Sequence, residues 1–378
     1  MTTPTLLQNL IDRLRSLDAP TYRAVVGFDG YVDKIQNVVR AKTPTGNAYF
    51  DSITGLADLL YTLAGKSGQV ELVTQETKIG GNAPILAQAL ASLGVPNRCV
   101  GMLSDPLFGQ MHPDCDRVSL GPPAETNALE FGDGKIILSE VSTFEQLHWA
   151  NYVAQIGLDT IRQHYAESQL LAFVDWANLP HGNELWRAYL TEVVEPAGTR
   201  PADEKHFFFD LCDPTKRSAG AVRDALRIVT DYVPFGAVTL GMNENEARRI
   251  YLALNDDSPA DAVKLAQTPD LLRVALFIQE QTTIPTVLIH PTDRSLVATA
   301  GGVQEMTGRL VPQPKVLTGG GDNLNAGFGW GLLHGFELPD CLLLGMATAG
   351  AYIETGQSPT RADLTAYLEN WRTALTSP

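Results

Sequence analysis

Apolar residues near the start of the chain recur at helical spacing. Leu6, Leu7, Leu10, Ile11, Leu14 and Leu17 mark one face, which predicts an amphipathic helix over residues 4–17 laid against the body of the protein. The pattern then becomes that of strands. Arg23–Phe28 reads as a buried strand, and Arg98–Met102, Leu170–Asp175, His206–Leu211, Ala237–Leu240 and Pro285–Ile289 follow as further apolar runs. The later runs are separated by stretches long enough for helices, so crossover connections and a parallel sheet with helices on both faces are expected. Ligands of such a sheet bind beyond the C-terminal ends of the strands. The polar residues there should share one rim: Asp29 and Asp33 in Gly27–Asp33, then Asp175–Asn178, Asp210–Lys216, Asn243–Glu246 and His290–Arg294. For Asp29 and Asp33 the pattern leaves metal binding, solvation and substrate contact open. Residues 34–79 are mixed, with strand-like pieces at Ile35–Val39 and Val70–Val73, and Asn127–Ser139 predicts a hairpin about Gly132-Asp133-Gly134.

The most distinctive pattern lies from Lys315 to Phe336. Leu324, Phe328, Leu332 and Phe336 recur every fourth residue, and Gly327, Gly331 and Gly335 form a second stripe at the same spacing. Such glycines weaken an isolated helix but let another backbone approach. A partner is available in Pro339–Glu354, which is rich in small residues at Gly345, Ala347, Ala349, Gly350 and Ala351. Ahead of the glycine helix, Thr318 and Gly319-Gly320-Gly321 lead into Asp322. A glycine loop feeding a helix start converges unpaired N–H groups on one point, an anion cradle. Asp322 at its rim would repel a resting phosphate, yet it suits the removal of a proton from an attacking hydroxyl. Capping of the helix by Asp322 is the competing reading. Gly80-Gly81-Asn82 opens a second such helix, with Asn82 as cap, Pro84 in the first turn, Leu86, Ala89, Leu90 and Leu93 on one face, and Gly94 as the stop. Asn243-Glu244-Asn245-Glu246 reads as a capping box variant.

Composition narrows the function. The 378 residues carry a net charge of −15 with 44% hydrophobic and 19% charged residues, an ordinary globular balance that lacks the basic face needed for nucleic acid or an anionic membrane. The cysteines Cys99, Cys115, Cys212 and Cys341 contain no C-x-x-C pair, so a reducing compartment is expected. No run approaches the ~18 apolar residues of a membrane span, and a signal-peptide layout is missing, which leads us to expect a cytoplasmic protein. Ala64-Gly65-Lys66-Ser67 lacks the earlier glycine of a P-loop, with Leu60 in its place. His112, Asp114, Cys115 and Asp116 match no metal-ligand spacing.

Thr-Gly-Gly-Gly-Asp-x-x-x-Ala-Gly-Phe at 318–328 resembles the C-terminal signature of the ribokinase (PfkB) carbohydrate kinase family, with Gly320 in place of the usual alanine. Gly80–Gly94 resembles its N-terminal signature, with Ile85 where an asparagine is usual, and Asp105-Pro-Leu-Phe-Gly109 resembles its Asp-x-x-Phe-Gly turn. Asn243–Glu246 matches an Asn-x-x-Glu motif between the two signatures. The resemblance implies a three-layer α/β/α sandwich with a mainly parallel central sheet. A core of residues 1–33 and 80–378 would carry a small β lid from 34–79 and part of 125–140. It implies an ATP-dependent sugar kinase in which Asp322 is the general base and Gly319, Gly320 and Gly321 supply the anion hole. Asp33 or Asp29, with Gly80, Gly81 and Asn82, would hold the sugar. Asn243, Thr318 and His290 would line the nucleotide, although His290 stands where the family carries Thr-x-Gly. Glu246 would support Mg2+ through water, residues 355–359 would close the nucleotide site and help hold a monovalent cation, and the lid would admit a homodimer. Rivals are an ADP-dependent sugar kinase, a nucleoside or vitamin kinase of the same fold, and a sugar-binding regulator without turnover. Trp176 and Asn178 lie on the expected rim, Trp176 open between acceptor contact and core packing.

Overall fold

The fold is described from a computed structural model covering residues 3–17, 21–199, 201, 204–316 and 318–376; Leu317, inside the glycine-rich stretch, lies outside the described residues. Among the described residues fourteen strands form two sheets. The central sheet contains β1 (Ala24–Phe28), β5 (Asn97–Gly101), β6 (Cys115–Ser119), β9 (Leu170–Phe173), β10 (His206–Asp210), β11 (Ala237–Met242), β12 (Thr286–Ile289), β13 (Arg294–Thr299) and β14 (Gly302–Thr307). Its order is β14-β13-β12-β11-β10-β9-β1-β5-β6. From β12 to β6 all neighbours run parallel, while the β12–β13 and β13–β14 pairs at the other edge are antiparallel. β1 shows why the sheet is covered twice. All five of its residues are buried, with Val25 in one apolar cluster and Ala24 and Val26 in the other. Alternate side chains of one strand thus supply two cores, and helices must cover both faces. The result is the expected three-layer α/β/α sandwich.

The second sheet contains β2 (Tyr31–Thr43), β3 (Gly46–Tyr49), β4 (Leu72–Gly80), β7 (Ala124–Phe131) and β8 (Gly134–Glu140). Its long β2 pairs antiparallel with β3 and β4 and parallel with β7, and β7 and β8 form the hairpin about Gly132–Gly134. Val38, Leu56 and Leu129 make a small core of its own. Asp29 and Gly30 alone separate β1 from β2, so the two sheets meet at the rim of the central one.

Helices Gly320–Leu333 and Leu338–Thr355 are packed through their small residues. A Cβ on Gly327 would collide with Thr348 Oγ1 and lie 2.7 Å from the Leu344 carbonyl oxygen, and one on Gly345 would lie 2.9 Å from that of Leu324. Gly335 departs from the expected stripe: the helix ends at Leu333, and Gly335, at φ +63°, forms the turn beyond it with nothing against its Cβ position. Because a backbone oxygen blocks the Gly327 position as well as the buried Thr348 side chain, Gly327→Ala is expected to destabilise the protein by roughly 1–3 kcal/mol. Urea denaturation checks this, and an unchanged midpoint would show that the two helices can separate freely.

Candidate active site

The rim of the central sheet is built on a carboxylate that serves a helix. Asp29 is fully buried; its Oδ2 accepts a hydrogen bond from the Asn82 N–H at 2.6 Å and its Oδ1 one from the Ala83 N–H at 2.7 Å. The helix Asn82–Ser92 has Gly81 at its N-cap with φ +99° and no side-chain cap of its own. A Cβ there would stand 2.7 Å from Asp29 Oδ2, so only glycine permits the approach. This corrects the expectation that Asn82 caps the helix. Asp29 does so from just past β1, and Asn82 is left free to donate from Nδ2 to Asp322 Oδ1 at 3.0 Å.

Asp322 is not a cap either. The glycine helix has Gly319 at its N-cap, left-handed at φ +86° and without a side-chain cap, so Asp322 sits inside the first turn. Its carboxylate is 8% exposed, in the third residue of a helix that starts at Gly320. Burial and the fields of Asp210 and Asp29 push the Asp322 carboxyl well above its ordinary range, with the Asn82 bond pulling the other way. Thr318 is half-buried just ahead of this start. His290, past β12, comes within 3.3 Å of the position a Gly321 Cβ would take. Its Nε2 is shielded and unpartnered, and burial lowers the ring to about 4, so the imidazole is neutral near pH 7. The structure thus places His290 against the cradle itself.

The remaining strand ends add further carboxylates. Asp175, past β9, is left-handed at φ +59° and buried; it accepts from Tyr31 Oη at 3.0 Å and Asn178 Nδ2 at 2.6 Å. Asp210, ending β10, accepts from the Cys212 N–H at 2.8 Å and Asn325 Nδ2 at 2.9 Å. Burial pushes each up to about 6. Asn243 and Glu246 form a complete capping box, with Asn243 N–H donating to Glu246 Oε2 at 2.8 Å and Glu246 N–H donating to Asn243 Oδ1 at 3.0 Å. Burial, then Asp210 and Asp213, push Glu246 up to about 8.

Asp33 lies apart from this ring, on β2. It accepts from Thr126 Oγ1 at 2.5 Å and faces Gly80, whose Cβ would run into the carboxylate. Burial raises its carboxyl, while Thr126, Lys78 and Lys135 oppose the shift. Trp176 is core, 1% exposed, its Nε1 bonded to Asn183 Oδ1 and its face under Arg217. In the loop at 355–359 the Thr355 carbonyl already accepts from Lys315 Nζ at 2.9 Å. Among the described residues no three His, Cys, Asp or Glu side chains converge to hold a metal directly. Tyr31, Thr126, Asn325 and Tyr352 were not singled out in the sequence. Tyr31, Asn325 and Tyr352 stand at periodic or packed positions that read equally well as core, and Thr126 is partnered only by the sheet.

Comparison with known proteins agrees with this fold. The ketohexokinase of Haloferax volcanii is 27% identical over 369 residues, covering 92% of this chain and 91% of the relative. The ribokinase of Thermotoga maritima has the same fold, with TM-score 0.63 at 15% identity, covering 93% of this chain and 100% of that one. So does the adenosine kinase of Sinorhizobium meliloti, with TM-score 0.60 at 18% identity and coverage of 93% and 100%. Fold and relatives define a carbohydrate kinase of the ribokinase (PfkB) type, a phosphotransferase with an alcohol group as acceptor. Within that class the chain belongs to the prokaryotic ketohexokinase family, whose profile matches residues 12–371.

The rim carries a stability signature. The folded pKa of Asp175, about 6, lies above its ordinary 3.8, so the folded state keeps a proton that the unfolded chain releases. The stability this contributes is complete below the ordinary value and is lost as pH rises through about 6. Asp175→Asn removes that titration, so its melting midpoint relative to wild type is expected to rise between pH 4 and pH 7. Thermal melts of both proteins across that range check the sign; a constant difference would mean that Asp175 is ionised in the fold throughout.

Proposed function

We propose that the chain transfers the terminal phosphoryl group of ATP to a hydroxyl of a ketohexose. The observation that carries this reading is the Asn82-held Asp322 carboxylate inside an uncapped helix start. Membership of the prokaryotic ketohexokinase family, and likeness to the Haloferax ketohexokinase, support a ketohexose as acceptor. Asp322, made more basic by burial, takes the proton of the attacking hydroxyl. The new O–P bond forms as the bond to the leaving ADP breaks. N–H groups of Gly319 to Asp322 stabilise the negative charge on the transferring phosphoryl. Asn243, Thr318 and His290 flank the nucleotide, His290 on the phosphate side of the glycine start.

Both oxygens of Asp29 are engaged by the helix, which leaves Asp33, with Gly80, Gly81 and Asn82, to orient the sugar. Burial and the fields of Asp210 and Asp213 raise the Glu246 carboxyl, although Arg249 Nε lies 3.4 Å from Asp213 Oδ1, and this oxygen-rich donor set fits a hydrated Mg2+ supported by Glu246 through water. Bound there, Mg2+ supplies positive charge that screens the phosphates. We take residues 34–79 with part of 125–140 as a lid over the core of 1–33 and 80–378, closing to exclude water as a competing acceptor.

Asp322→Asn is expected to lower kcat by roughly a hundredfold or more, as loss of a general base does, with little change in the sugar KM. Chelation with EDTA is expected to abolish turnover and MgCl2 to restore it. The measurement is product formation by mass from fructose with ATP and then ADP. Equal rates for wild type and variant would remove Asp322 from the mechanism, and transfer from ADP alone would overturn the donor.

The lid leaves Leu60, Tyr61, Leu72, Ile137 and Leu138 exposed, which supports a homodimer formed by pairing two lids. Sedimentation is expected to give a dimer that Ile137→Glu weakens; a monomer at every concentration would exclude the pairing.

A further inference from the structure

The helix Leu338–Thr355 carries one polar group into the site that the mechanism above leaves unused. Tyr352 Oη lies 2.8 Å from where a Gly319 Cβ would stand, and Ile85 Cγ2 lies 3.3 Å from the same point. The phenol and the Ile85 side chain therefore close over the N-cap glycine of the catalytic helix from two other helices. Gly319 is fixed there by its left-handed φ of +86°, so this proximity is part of the backbone design.

The hydroxyl has no hydrogen-bond partner among the described residues. A half-buried polar group left open at a site is one that a ligand can satisfy. Its surroundings indicate which ligand. The carboxylates facing it are Asp322 from the catalytic helix, Asp33 from β2 and Glu76 from β4. Two of these belong to the second sheet, on the side of Asn82 and Gly80, whereas His290 marks the other flank of the helix start at Gly321. With burial, these carboxylates push the phenol up to about 12, so it remains an O–H donor at neutral pH. Ile85 beside it offers no hydrogen bond and serves as an apolar wall.

We infer that Tyr352 is an acceptor-binding residue, its O–H donating to a sugar hydroxyl neighbouring the one that attacks, with Ile85 setting the wall against which the sugar lies. This deepens, and rests on, the ketohexose-kinase reading. A polyol acceptor presents adjacent hydroxyls, one for Asp322 and one for Tyr352.

Tyr352→Phe removes one oxygen that the fold does not use, so its melting midpoint is expected to match wild type. Its KM for D-fructose is expected to rise about tenfold, the effect of one neutral hydrogen bond, while kcat and the KM for ATP stay within about twofold. Among monodeoxyfructoses, one should lose affinity with wild type and lose nothing further with the variant, since its missing hydroxyl is the partner. An unchanged fructose KM, or a rise confined to the ATP KM, would overturn the assignment. Should wild type phosphorylate ribose or adenosine and not fructose, the ketohexose reading falls by itself. The same pair of KM values is then read on that acceptor, a rise in its KM supporting Tyr352 and no change overturning it.

Discussion

Asp29 accepts two backbone N–H groups at the start of the helix Asn82–Ser92, and the site is assembled around that bond. A helix start leaves N–H groups that need acceptors. Here the acceptor comes from the end of β1, which ties the central strand to a helix on one face of the sheet. Because the cap is imported, Asn82 need not supply it, and its amide is free to hold Asp322. Gly81 is the geometric condition, since any side chain would separate Asp29 from the helix. The second helix is positioned differently, by glycine against backbone: Gly327 and Gly345 fix it to Leu338–Thr355 at a separation no larger residue would allow. The two helix starts are thereby set facing one another, one presenting an amide and the other a carboxylate.

That arrangement concentrates negative charge. Asp29, Asp175, Asp210, Glu246 and Asp322 are all buried, and each has its carboxyl pushed up. Arg217, which feels the field of Asp175, has its guanidinium engaged with the carbonyls of Trp176, Ala177 and Leu179. A polyanionic nucleotide entering such a rim meets repulsion that helix N–H groups offset only locally. Positive charge must arrive with the nucleotide, so in our reading magnesium and nucleotide binding are coupled by electrostatics rather than independent. The same carboxylates suit the acceptor side, where an ionised base has to compete for a hydroxyl proton in a site shielded from water.

The layers and the strand ends were legible in the sequence because they rest on local signals. Apolar runs spaced by helix-length segments specify a parallel sheet, and the residues just past each run fall on one rim, as Asp175, Asp210, Asn243 and His290 do. The glycine start at Gly319–Gly321 was equally readable. What local signals could not give was partnership across the chain. Asn82 looks like a cap until Asp29, 53 residues away in sequence, is seen to occupy that role. Trp176 looked like a candidate for the rim until Asn183 and Arg217 are seen to hold it in the core. Gly335 shared the spacing of the stripe but belongs to the turn, because the helix ends two residues earlier. Tyr352 sits in a run of small residues whose pattern signals packing, and only the fold shows its hydroxyl over Gly319.

A fold shared with a ribokinase and an adenosine kinase at 15% and 18% identity does not choose among acceptors. In our reading helix starts and strand ends supply the phosphoryl chemistry, and they are backbone features, indifferent to the sugar. Discrimination must therefore come from side chains that meet the acceptor away from the reacting hydroxyl. In our reading those side chains stand where the two sheets join: Asp33 on β2 against Gly80, and Ile85 with Tyr352 over Gly319. An apolar wall beside two hydrogen-bonding groups rewards an acceptor with hydroxyls on one edge and carbon on the other. On this reading, substitutions at these few positions would shift acceptor choice while Asp29, Asn82 and Asp322 keep the helix starts, and the proposed chemistry, in place.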